Sequence, residues 1–100
     1  MGSYQAGTTV TFEARFYNER TGSMVNPDVG SLSLKIYYNG SLFADCTSDI
    51  YQVDTGVYAC DYSIPETADK GLYVYEWQAT INGKPYRESG LFRVRKRKVG

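Results

Sequence analysis

From Thr8 to Tyr17 the chain alternates, with Val10, Phe12, Ala14 and Phe16 on one face and Thr9, Thr11, Glu13 and Arg15 on the other. A period of two predicts a strand packed on one side. The pattern returns from Ser31 to Tyr38, where Leu32, Leu34, Ile36 and Tyr38 are set against Ser33, Lys35 and Tyr37. Gly56 to Ile64 gathers Tyr58, Cys60, Tyr62 and Ile64 on one face, and Pro65 ends it. Gly71 to Ile81 directs Tyr73, Tyr75, Trp77 and Ala79 inward, and Tyr86 to Arg95 is the last strand. No long segment has helical periodicity. The chain therefore reads as all-β, an antiparallel sandwich of about seven strands with no helix.

Turn formers fix how the strands join. Asn18 to Gly30, with Gly22, Asn26-Pro27-Asp28 and Gly30, predicts a long loop. Asn39-Gly40 and Asn82-Gly83 predict hairpins. A two-residue turn at Asn39-Gly40 would set Asp45 opposite Leu34 on the buried face. A three-residue loop that includes Ser41 puts Leu42, Ala44 and Cys46 there instead. The second is expected, because an unpaired buried carboxylate costs more than a bulge. Counting outward from Asn82-Gly83 sets Tyr73 opposite Phe92, Tyr75 opposite Gly90 and Ala79 opposite Tyr86. The same count sets Glu88 opposite Trp77, which requires either a bulge at Ser89-Gly90 or a place for Glu88 at the rim.

A length of 100 residues is one domain, with a sandwich over 4–95 and a basic tail over 96–100. Eleven basic and eleven acidic side chains cancel. No global field then draws the chain to nucleic acid or an anionic membrane, so neither is expected as a partner. The N-terminus, Met1 to Gly7, lacks the basic and apolar regions of a secretory signal, so the chain is expected to stay where it is made.

The absence of histidine removes the commonest general base and metal ligand. No catalytic residue, cofactor or metal is therefore expected, and carboxylate pairs such as Asp45/Asp49 and Asp54/Asp61 read as solvated turn residues. Cys46 and Cys60 share a face. If their strands pair around Val53, they fall opposite each other, and a disulfide there would stabilise the fold by about 3 kcal/mol. The other reading is two buried free thiols, which the missing secretory signal favours. The basic run Arg93, Arg95, Lys96, Arg97 and Lys98 reads either as a contact for phosphate or an acidic partner or as a solubilising tail whose charge blunts an edge strand. Asn39-Gly40-Ser41 has the form of a glycosylation sequon and also spells the hairpin turn.

The layout Tyr4-x-x-Gly7-x-x-Val10-x-Phe12, Asn26-Pro27-Asp28, Asn39-Gly40, Asp54-x-Gly56-x-Tyr58, Ile64-Pro65 and Gly71-x-Tyr73-x-Tyr75-x-Trp77 resembles the small immunoglobulin-like β-sandwiches of bacteria and their viruses. Asp54-Thr55-Gly56-Val57-Tyr58-Ala59-Cys60 also has the form of the penultimate strand of antibody domains. Those domains need a cysteine farther upstream and a tryptophan between the two, whereas Trp77 follows Cys60. Free-standing versions of this length resemble small tailed-phage virion proteins. The resemblance implies a non-enzymatic structural or attachment role on a capsid, neck, tail or fibre, assembled in the host cytoplasm. Other virion proteins and a second copy of the chain would then be its partners. The alternative is a carbohydrate-binding or adhesive accessory domain of a secreted bacterial protein at the cell surface. Outward aromatic residues are the expected contact surface: Tyr37, Phe43 and Tyr51, with Tyr17 and Tyr4 as further candidates.

Overall fold

The computed structural model describes residues 2–96. Among these residues eight strands form two sheets. They are β1 (Gly2–Gln5), β2 (Thr9–Arg15), β3 (Ser33–Tyr38), β4 (Ser41–Asp45), β5 (Ile50–Asp54), β6 (Val57–Ser63), β7 (Gly71–Ile81) and β8 (Lys84–Arg95). One sheet has the order β1-β8-β7-β3-β4 and the other β2-β6-β5. A 3-10 turn, Thr47–Asp49, joins β4 to β5. The neighbours are antiparallel except β1 and β8, which run parallel. The short polar β1 has no pattern of its own; it forms because β8 offers it an edge, with Gly2 beside Phe92 and Gln5 beside Arg95.

The inward faces meet in one core. β2 contributes Val10, Phe12 and Ala14, with Phe16 just beyond it, and Leu34, Ile36, Cys60, Tyr73, Trp77, Phe92 and Val94 complete the centre. Aromatic rings make its spine. Tyr73 stacks on Tyr38 at 4.4 Å and on Phe92 at 5.4 Å, and Phe12 lies 4.8 Å from Tyr75 and 5.6 Å from Phe92. Such pairs contribute about 0.5 to 1.5 kcal/mol each beyond the area they bury.

The β7–β8 register follows the count from Asn82-Gly83, with Tyr73 opposite Phe92, Tyr75 opposite Gly90 and Ala79 opposite Tyr86. The pairing runs without a break, so no bulge forms at Ser89-Gly90. Glu88 stays exposed at the rim, where its carboxylate accepts the Tyr86 hydroxyl at 3.1 Å.

The β3–β4 hairpin departs from expectation. Asn39 (φ 52°) and Gly40 (φ 77°) form a two-residue turn, and Tyr38 pairs with Ser41. Positive φ at both positions suits Asn-Gly and matches the strand twist. The extra residue is accommodated inside the strand: Tyr37 pairs with Leu42 and Ile36 with Ala44, leaving Phe43 as a bulge. Parity is thereby restored. Cys46 takes the inward position, its N–H donating to the Leu34 carbonyl at 2.8 Å, while Asp45 faces out opposite Lys35. Leu42, expected inside, is 57% exposed.

The long loop after β2 holds two turns in place. The Asn26 carboxamide oxygen accepts the N–H of Gly56 at 2.8 Å and the Gln52 side-chain amide at 3.0 Å. The Asp28 carboxylate accepts the N–H groups of Asn82 and Gly83 at 3.1 and 3.0 Å.

Candidate interaction surface

The outward face of the five-stranded sheet carries an apolar row. Strand pairing aligns Leu42 with Tyr37, Tyr37 with Val74, and Val74 with Leu91, so four apolar side chains run across β4, β3, β7 and β8. Leu72 extends the row along β7. Leu42, Leu72 and Leu91 remain 57%, 41% and 42% exposed, and Tyr37 and Val74 are half-buried among them. Lys35, Glu76, Ser89 and Arg93 flank the row on the same face. An apolar centre with a polar border is the layout of a protein contact surface.

The candidates from the sequence do not form one patch. Tyr37 belongs to this row. Phe43 does not, because the bulge turns it inward, 4.9 Å from the Tyr73 ring and 6.4 Å from Tyr38. Tyr51 is exposed but lies on the opposite sheet, above Ala59, with its hydroxyl 3.3 Å from both Asp61 oxygens. Tyr4 packs against the core, edge-on to Phe92 at 6.3 Å. Val74, Leu72 and Leu91 were readable from the Asn82-Gly83 count, since residues flanking Tyr73 and Phe92 must point out; Leu42 was hidden by the bulge.

Tyr17 is exposed at one end of the sandwich, beside a cleft of about 460 Å³. Asn18, Glu19, Arg20, Lys84 and Tyr86 also line it. Burial, then the hydrogen bond to Glu88, pushes the Tyr86 phenol above its ordinary pKa. Of the basic run, Arg93 and Arg95 point outward from β8 and Lys96 follows, all exposed. Arg97 and Lys98 lie outside the described residues.

Cys46 and Cys60 are free, buried thiols. They do not face each other across paired strands, since Cys60 pairs with Phe12 and Ile50 while Cys46 follows β4 on the other sheet. The Cys60 thiol donates toward the Cys46 carbonyl at 3.8 Å. Burial, followed by the neighbouring Cys60, pushes the Cys46 pKa up to about 12. Neither thiol is set up as a nucleophile. Among the described residues, no group of three or more His, Cys, Asp or Glu gathers to hold a metal ion, and no helix is long and apolar enough to cross a membrane.

No family model matches the chain, and no curated protein matches it. Solved structures do. The endo-beta-1,4-mannanase from Thermotoga petrophila superposes with a TM-score of 0.64 at 17% identity over 95% of this chain. The chain spans only 18% of that enzyme's length. A chimeric titin Z1Z2 functionalized with a KLER peptide from decorin superposes with a TM-score of 0.52 at 16% identity, covering 95% of this chain and 86% of that one. Identities this low speak for architecture alone: the chain is an all-β, immunoglobulin-like sandwich.

Proposed function

We propose that this protein is a non-enzymatic structural and attachment module that acts by protein–protein contact through the outer face of its five-stranded sheet. The observation that carries the reading is the row Leu42, Tyr37, Val74 and Leu91, which strand pairing joins into one partly exposed apolar stretch across four strands. The finer assignment is a small component of a tailed-phage virion, with the row seated against a neighbouring virion protein. The lack of histidine and the resemblance of the turn and core motifs to small phage sandwiches support it. The test replaces Leu42 and Leu91 together by serine and follows incorporation into particles. A folded variant that is left out supports the reading; unchanged incorporation refutes it.

A second reading is a carbohydrate-binding or adhesive module of a secreted protein. The end cleft favours it, where Tyr17 and Tyr86 offer rings beside Asn18 and Asn82. Binding on a glycan array that Tyr17→Ala and Tyr86→Ala abolish would establish it. An array without hits would dismiss it.

A further inference from the structure

The open sheet edges differ in how they resist pairing with another strand. β1 is four residues long. β4 is interrupted by the bulge at Phe43, and β5 by a register shift between Gln52 and Asp54. The part of β8 beyond β1 carries Pro85, which has no N–H to donate, and the charged Lys84, Arg87 and Glu88. These are the usual defences of an edge. β2 has none of them. It is a regular seven-residue strand without Pro, Gly, Lys or bulge, and its two charges neutralise each other, Arg15 Nε lying 2.8 Å from Glu13 Oε1.

The backbone of β2 is set for a partner. Phe16 N donates to Gly56 O at 2.8 Å, and Thr8 O accepts from Ile64 N at 2.9 Å. In an antiparallel ladder this parity turns the even-numbered residues of β2 toward β6 and the odd-numbered ones away. Thr9, Thr11, Glu13 and Arg15 therefore present their N–H and C=O groups at the open edge. A cleft of about 230 Å³, lined by Tyr4, Val10, Phe12 and Phe92, separates this edge from β1 and β8.

We propose that a second copy of this chain pairs its β2 antiparallel to this edge, about a twofold axis at Phe12, joining the two three-stranded sheets into one. Odd residues must face odd residues for the outward groups to bond. Of those registers, only the one centred on Phe12 engages all seven residues and opposes no like charges. It sets Thr9 opposite Arg15 and Thr11 opposite Glu13 of the second copy, and symmetry repeats each pair. Centring on Glu13 instead would set two glutamates face to face. The interface is independent of the outer face of the other sheet, so it stands or falls apart from the function proposed above.

The test is light scattering of the full chain over a wide concentration range, with variants at two exposed positions. Thr11→Lys and Thr9→Glu each meet an opposite charge and tighten the dimer; Thr11→Glu and Thr9→Lys each meet a like charge and weaken it, by roughly two- to thirty-fold in Kd over the two symmetric pairs. Thr11→Pro removes an outward N–H and leaves a folded monomer by circular dichroism. Thr11→Val, which loses only the hydroxyl bond to Asp61, still dimerises. The opposite signs at positions 9 and 11 separate this register from a general effect of charge on solubility. A chain that stays monomeric at millimolar concentration, or a dimer indifferent to the sign of charge at these positions, overturns the proposal.

Discussion

Asn26 and Gly56 are joined by a 2.8 Å hydrogen bond from the glycine N–H to the carboxamide oxygen, tying the long loop to the turn before β6. Gly56 has φ 70°, and a Cβ there would lie 2.6 Å from the Phe16 carbonyl and 2.8 Å from that of Val25. Both obstacles are backbone, so neither can move aside. Gly56→Ala is expected to cost about 3 kcal/mol or more, and Asn26→Ala about 1 to 2 kcal/mol, in urea denaturation. Asn26→Asp keeps an acceptor for both donors and should retain more stability than the alanine variant.

Tyr75 covers Gly90 across the β7–β8 pair. A Cβ on Gly90 would fall on the phenol ring, its nearest contact being the hydroxyl oxygen. Gly90→Ala is therefore expected to destabilise by about 1 to 3 kcal/mol. In Tyr75→Leu, which vacates that space, the same change at Gly90 should cost less. A double-mutant cycle with no coupling would contradict the arrangement.

The bulge in β4 exchanges the roles of two neighbours. Phe43→Ala should cost about 2 kcal/mol because its ring packs on Tyr73, whereas Leu42→Ser should stay within about 0.5 kcal/mol. The reverse order in thermal denaturation would mean the three-residue loop forms after all.

Alkaline pH should unfold the protein through its buried thiol and phenol groups. Burial raises Cys46 from 9.0 and Tyr62 from 10.0, each to about 12, and raises Cys60. The folded state holds these protons more tightly than the unfolded chain. Their contribution is complete below about pH 9 and is lost as pH climbs toward 12. The urea midpoint should be flat near neutrality and fall above pH 9, less steeply in Cys46→Ala and Tyr62→Phe. A thiol reagent at pH 8 should label neither cysteine until the protein is unfolded.

The strands were legible because each had one wet and one dry face: the alternation Val10, Phe12, Ala14, Phe16 survives unchanged in the structure. The β7–β8 register was legible because Asn82-Gly83 fixes a two-residue turn and nothing interrupts the count. At Asn39-Gly40 the same chemistry sets the turn, but the parity change occurs within the strand, at Phe43, where no Gly or Pro marks it. β1 was missed because a four-residue polar segment pairs only when β8 is already in place. The apolar row needed several registers at once: the Asn82-Gly83 count turns Leu72, Val74 and Leu91 outward, but only the β3–β7 pairing and the bulged β3–β4 pairing join Tyr37 and Leu42 to them.

The parallel pairing of β1 with β8 also governs how the molecule would carry tension. Gly2 lies beside Phe92 and Gln5 beside Arg95, and Ala6 N adds a bond to Arg95 O at 3.0 Å. A pull applied at the free ends of these two strands drives them past each other lengthwise. Their hydrogen bonds are then loaded together in shear and cannot be peeled one at a time. A module strung between two anchors would resist extension at this short contact, with the core behind it left undisturbed until the contact gives way.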